Sequence, residues 1–285
     1  MSLTSIKPAS LLIHAPNWVG DHAMAFPFYS VLQKLFPEAK KYLLGRKWIT
    51  SLVPPNVFNE VFVLEGKQLP DTLRQQLQKK KIEMGFTLSP SFRSAFLLKS
   101  IKIPFRIGYK TDFRSWLLHY PPQRGALRIP PYNQWEHRSL SYIRLLTPFF
   151  EQDKIAEDYW ERGKASVWNF PFPKSLMQKW NKQLPKQFWV ICPGSVAPSK
   201  VYPMHHLAKV IESCPRTHFV LLGSHIEQGY AKQLKSLLSK SSNQKIVDLT
   251  NQTNLLEALF ILKKAKGLIA NDSGLAHISF LTQTP

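Results

Sequence analysis

Short apolar runs alternate along the chain with stretches in which apolar residues recur every three or four positions, the pattern of strand-helix-strand units and a parallel sheet. Residues 11–15 are predicted as the first strand and 21–36 as the helix after it. Strands over 42–45, 57–64 and 84–88 follow, with amphipathic helices over 71–81 and 92–101 and a further helix over 137–150. Residues 151–173 lose the periodicity and collect acids, aromatics and prolines, ending in NFPFPKS, and are predicted to be a linker. The alternation then resumes, with strands over 188–192, 218–223, 245–249 and 267–270 and helices over 205–214, 228–238 and 255–264. A last helix begins at Gly274. The expected organisation is an α/β domain over 1–150, a linker over 151–173 and a second α/β domain over 174–285. A strand should follow the last helix, so the second sheet is expected to be truncated.

A chain of 285 residues, 44% hydrophobic and 20% charged, supports two ordinary cores. No apolar run approaches the ~20 residues that span a bilayer, and the start MSLTSIKPAS lacks a signal-peptide core, which predicts a cytoplasmic protein. Cys192 and Cys214 lack the spacing of a metal site or a disulfide framework and are expected to be buried thiols in a reducing compartment. Charge changes the picture more. The net charge of +20 implies an acidic partner, whether nucleic acid, anionic lipid or a phosphorylated substrate. Its densest stretch lies between Met84 and Trp135, where Arg93, Lys99, Lys102, Arg106, Lys110, Arg114, Arg124 and Arg128 face one acid, Asp112.

Three turns carry candidate chemistry. In HAPNWVGDHAMAFP, Gly20 permits a tight turn and Asp21 falls at the cap or first turn of a helix. Its carboxylate is either a plain cap or a general base for a hydroxyl. In CPGSVAPSKVYP, a Gly-Ser turn exposes backbone amides and Lys200 can meet a diphosphate, although a solvated loop would read the same way. In ANDSGLAHI, Asp272 and Ser273 can cap a helix whose first amides an anion could approach over Gly274, and His277 lies one turn further on. Two phosphate-suited turns in one half and a carboxylate turn in the other are what a two-domain transferase needs. No cluster of His and carboxylates suggests a metal site, and no cofactor motif is present.

PNWVGD, LSPSFRSAF, IPFRIGYKTDFRSWLL, CPGSVAPSK, FVLLGS and NDSGLAH, in this order and at similar spacing, resemble the motifs of the lipopolysaccharide heptosyltransferases of glycosyltransferase family 9, with NWVGD and NDSGLAH favouring the second type. The resemblance implies two Rossmann-like domains facing across a cleft, the GT-B arrangement. It further implies inverting transfer of heptose from ADP-L-glycero-D-manno-heptose to the phosphorylated heptosyl-Kdo-lipid A inner core, without metal. Carried over by position, it makes Asp21 the catalytic base and Ser195, Lys200, Glu227, Asp272, Ser273, Gly274 and His277 the donor-binding residues. Arg93, Arg106, Lys110 and Arg114 are the candidate acceptor contacts. The implied enzyme is a monomer, peripheral on the anionic cytoplasmic face of the inner membrane. Lys200 is followed by Val-Tyr where the family commonly has Arg-Trp, so one basic donor contact is missing. Two other classes stay open: a catalytically impaired remnant of the family, and a nucleic-acid-binding protein, for which the charge alone speaks.

Overall fold

Every residue of the first strand, β1 (Ser10–His14), is buried, as befits a strand paired on both edges and covered on both faces. The computed structural model, which describes residues 7–118, 135–150, 156–164 and 168–285, follows β1 with β2 (Lys40–Gly45), β3 (Glu60–Val63), β4 (Met84–Thr87) and β5 (Phe105–Ile107). These five form one parallel sheet in the order β3-β2-β1-β4-β5, with Leu12 opposite Tyr42 on one side and Gly85 on the other. The accompanying helices are α1 (Val19–Met24), α2 (Phe26–Leu35), α3 (Asp71–Lys79), α4 (Phe92–Ser100), α5 (Arg138–Arg144) and α6 (Ala156–Lys164). Leu12, Leu44, Phe62, Leu77, Leu98 and Ile103 fill one core cluster. Phe28, Phe86 and Phe149 interlock edge to face in another, with ring centroids 5.7 and 6.3 Å apart.

A second unit, Trp168–Pro285, is separate from the first, Met1–Val167. It contains α7 (Lys174–Gln183), β6 (Trp189–Cys192), α8 (Met204–Glu212), β7 (Phe219–Leu221), α9 (Gln228–Ser236), α10 (Lys240–Asn243), β8 (Ile246–Asp248), α11 (Leu255–Lys264), β9 (Leu268–Ala270) and α12 (Gly274–Thr282). Its sheet is parallel, in the order β8-β7-β6-β9. Asn254 and Glu257 close a reciprocal capping box at the start of α11. Glu257 also accepts from Trp180 Nε1 at 3.1 Å and Lys179 Nζ at 2.8 Å, which ties α7 to α11.

Several elements differ from the sequence pattern. The helix expected over 21–36 is two, broken at Ala25 because Pro27, in the first turn of α2, has no N–H to continue the ladder of α1. The helix expected over 137–150 stops at Arg144 and is followed by a 3-10 turn opening at Thr147-Pro148. Strand β5 and helices α7 and α10 carry no expectation from the sequence. Residues 151–173, expected as linker, include α6, which packs on α2 and α5. Its buried Ala156 and Tyr159 form the inward side, with the Tyr159 ring stacked on Phe150 at 3.9 Å. Cys192 is buried as expected, but Cys214 is exposed, because α8 ends at Glu212 and Cys214 enters the turn with Pro215 and Arg216.

In each sheet the strand order reverses once, between β1 and β4 and between β6 and β9. Successive crossovers leave such a point in opposite directions, so the carboxyl ends of the two strands open a crevice there.

Candidate active site

At the reversal of the second sheet the turns after β6 and β9 meet. Asn271, the first residue past β9, donates through Nδ2 to the carbonyls of Cys192 (3.3 Å) and Gly194 (3.4 Å) and accepts from the Tyr202 amide at 2.8 Å. One carboxamide thus joins three segments. Ser195 is buried and its hydroxyl donates to the Asp272 carbonyl at 3.0 Å. Lys200 Nζ donates to the Asp272 carboxylate at 2.5 Å, and His277 Nε2 lies 3.6 Å from the other carboxylate oxygen. The bond from Lys200 is the main cause holding the Asp272 carboxyl below its ordinary range, with His277 adding to it. Ser273 takes the N-cap position of α12 in an extended conformation, yet makes no side-chain cap. Its hydroxyl is buried with no hydrogen-bond partner in the structure, and the first-turn amides of α12 receive no side-chain oxygen from it. Lys200 and Asn271 also line a cavity of about 590 Å³ beside β6 and α8.

Glu227 stands at the same rim. Its carboxylate accepts from the Ser224 amide and hydroxyl, each at 2.6 Å. A Cβ at Gly194 would come within 2.7 Å of Glu227 Cγ and 2.8 Å of Tyr230 Cδ2, so only glycine admits Glu227 this close to the end of β6. Burial, and next the Glu227 charge, push the Cys192 thiol up, which leaves it an inert core residue.

In the first unit, Asp21 lies in the first turn of α1, with Trp18 at the cap position. Its carboxylate is 4.0 Å from Arg138 Nε at the start of α5, and both side chains are about a third exposed (33%). Gly20, expected to form a tight turn, is a buried residue inside α1, because that helix begins two residues before Asp21. His22 follows on the buried side. Its Nε2 is 2.9 Å from the Leu52 carbonyl and its Nδ1 is 3.1 Å from the Tyr29 hydroxyl. A carbonyl can only accept, so the proton belongs on Nε2 and Tyr29 donates to Nδ1. These two bonds fix α1, and Asp21 with it, against the rest of the unit.

The sequence profile of glycosyltransferase family 9 (heptosyltransferase) matches residues 71–285. The chain belongs to this family. It is 26% identical over 291 aligned positions to lipooligosaccharide heptosyltransferase 2 of Haemophilus ducreyi, covering 96% of this chain and 80% of that one. It is 24% identical to lipopolysaccharide heptosyltransferase 2 of Escherichia coli, with 96% and 80% covered. In fold it matches Escherichia coli ADP-heptose LPS heptosyltransferase II (TM-score 0.76, 21% identity, 97% and 83% covered). It also matches the Escherichia coli heptosyltransferase WaaC solved with ADP-2-deoxy-2-fluoro heptose (TM-score 0.70, 15% identity, 97% and 87% covered). The two parallel α/β units agree with the expected fold class, and a family 9 member is a glycosyltransferase.

The structure gathers Ser195, Lys200, Asp272, Ser273, Gly274 and His277 at one strand reversal, with Glu227 at its rim. It separates the four arginine and lysine candidates. Arg106 and Arg114 are buried. Arg106 donates to the carbonyls of Ile103 and Leu117, and Arg114 to those of Tyr109, Ser89 and Ser91 and to the Ser94 hydroxyl. Their guanidiniums therefore build the unit, a correction to the expectation that they face the acceptor. Arg93 and Lys110 are exposed, whereas Arg124 and Arg128 lie outside the described residues. Two site residues carry no signal in the sequence. Arg138 is far from Asp21 along the chain, and Asn271 is an uncharged residue beside Asp272 and Ser273, whose own side chains suit a helix N-terminus.

Proposed function

We propose that this chain transfers L-glycero-D-manno-heptose from ADP-heptose to the phosphorylated heptosyl-Kdo-lipid A inner core, with inversion and without metal. The observation that carries the reading is the cluster of Lys200, Asp272, His277 and the α12 N-terminus at the strand reversal of the second unit. An ammonium group and helix amides without a side-chain cap are suited to a diphosphate. In the reaction the Asp21 carboxylate takes the proton of an acceptor hydroxyl as its oxygen attacks the anomeric carbon from the side opposite ADP. The bond between that carbon and the β-phosphate oxygen breaks, and ADP leaves with the electron pair. Lys200 and the α12 amides meet the charge that develops on the diphosphate, and such preorganised donors contribute several kcal/mol, about 3 for one well-placed group. They supply the positive charge that other sugar-nucleotide enzymes take from a divalent cation. Glu227 is assigned to the nucleoside and Ser195 to the shape of the phosphate turn. Arg93 and Lys110 are the remaining described candidates for acceptor phosphates and carboxylates. On this proposal the protein is a monomer that binds no nucleic acid as substrate and works at the cytoplasmic, anionic membrane surface.

Thermal unfolding with ADP, repeated in EDTA, followed by turnover with ADP-heptose, tests the proposal. ADP should raise the melting temperature equally in both conditions, and heptose should then reach the lipid acceptor. Stabilisation that disappears in EDTA would remove the metal-independent mechanism.

A further inference from the structure

No helix among the described residues is long and apolar enough to cross a membrane. One face of the first unit stands out. On α4, Phe92 and Phe96 are exposed one turn apart with rings stacked at 6.4 Å, and Trp116 lies 6.1 Å from Phe92. Phe96 is 50%, Trp116 60% and Phe113 96% exposed. Phe92, Phe96 and Trp116 form one exposed aromatic cluster, and Phe113 is exposed three residues before Trp116; clustered exposed aromatics mark an interaction surface.

The patch is built rather than frayed. Leu117 and Leu118 pack on Ala95 of α4 and fix the turn that carries Trp116. The Phe92 amide donates to Asp112 Oδ2 at 2.5 Å, and Thr111 Oγ1 donates to the Pro90 carbonyl at 2.8 Å. Asp112 and Phe113 both hold left-handed backbone, φ 52° and 51°, which non-glycine residues rarely adopt. The result turns an aromatic ring outward. Cations accompany the rings: Lys99 Nζ sits 4.5 Å from the Trp116 ring centroid, and Arg93 is exposed on the same helix. Asp112, the one acid between Met84 and Trp135, accepts from the first amide of α4. Aromatic rings with a cationic rim match the headgroup layer of an anionic bilayer, where tryptophan and phenylalanine enter the interface and lysine and arginine meet lipid phosphates.

We propose that the face formed by Phe92, Phe96, Phe113 and Trp116, rimmed by Arg93 and Lys99, seats the first unit on an anionic lipid bilayer. It rests on the preceding reading only in that a lipid-linked acceptor gives such docking a purpose. The test is cosedimentation of the whole chain with vesicles of phosphatidylcholine alone or mixed with phosphatidylglycerol, with ADP binding followed separately by calorimetry. The chain should bind the mixed vesicles and leave the neutral ones. Phe113→Ser with Trp116→Ser, and separately Lys99→Glu, should each lower partitioning roughly tenfold or more, with melting temperature and ADP affinity unchanged. Equal partitioning of wild type and both variants would overturn the proposal, as would a wild type that leaves anionic vesicles alone. A wild type that self-associates through the patch, and becomes monomeric in the Ser variant without vesicles, would assign the face to a second copy. Vesicle binding without ADP binding would leave the docking face standing and remove the catalytic reading; ADP binding without vesicle binding would do the reverse.

Discussion

Lys200→Ala separates ligand chemistry from stability, because its partner is the most informative feature of the second unit. The Lys200 and Asp272 side chains are 51% and 59% exposed, and an exposed pair of this kind contributes ~0–1 kcal/mol. Losing it should barely move the melting temperature of the ligand-free chain. A diphosphate changes the comparison, because a hydrogen bond to a charged group contributes roughly 1.5–3 kcal/mol. Its loss corresponds to a Kd for ADP raised about 10- to 150-fold. Asp272 has the same sign of charge as the ligand and opposes it electrostatically, so Asp272→Asn should bind ADP at least as tightly as the wild type. Calorimetry of both variants and the double variant, at low and high ionic strength, gives the coupling and its screening. An unchanged Kd in Lys200→Ala would refute the assignment. So would a weakened Kd accompanied by a large fall in stability, since Lys200 would then be a structural cation.

Asp21→Asn should leave the affinity for ADP unchanged and lower turnover by the ~10²–10⁴-fold of a positioned base; a rate equal to wild type would reduce Asp21 to a first-turn acid of α1. His14 and His22 should make the fold acid-sensitive. Burial lowers both pKa values to about 4, with Arg46 and Arg114 adding to the effect at His14. The unfolded chain, with histidines near 6.5, takes up protons in this window that the folded chain refuses, so stability is full above pH ~6.5 and falls toward pH ~4, by up to ~3 kcal/mol per histidine. Urea unfolding across that range should show a shallower pH dependence in His22→Gln; an identical slope would contradict it.

Elements whose pattern is local were legible in the sequence. β1 reads as a strand because Leu11, Leu12 and Ile13 are apolar in succession, the mark of burial on both faces, and α11 because its stretch continues the alternation of strand-like runs and helical period. The reversal-point residues were legible because strand-end turns write their chemistry in consecutive positions. What escaped depends on partners distant in sequence. The two aromatics of α6 blurred its period until Phe150 gave Tyr159 a surface to stack on. Cys214 reads as buried from its place at the end of a predicted helix and is exposed because α8 ends two residues early. Nothing near Asp21 in sequence announces Arg138.

The excess of positive charge illustrates why a sum cannot choose a partner. Arginine and lysine are seldom buried without compensation, so sequence reasoning assigns every cation to the surface. Here Arg106 and Arg114 lie inside, satisfied by carbonyls, and Lys41 is buried with Nζ donating to the Ala39 carbonyl at 2.9 Å. These cations fasten loops at the ends of the first sheet. The cations left outside differ by what stands beside them. Lys200 is paired with an acid at a strand reversal, where a diphosphate can compete for it, whereas Lys99 lies over a tryptophan on a face whose acid is already used. A nucleic-acid surface would be expected to align its cations along a backbone track with aromatic platforms for bases. Lys200 and Lys99 instead stand in two different settings, one beside an acid at a strand end and one over a tryptophan ring. Lys99→Glu should therefore weaken vesicle binding and spare ADP, and Lys200→Ala should do the opposite.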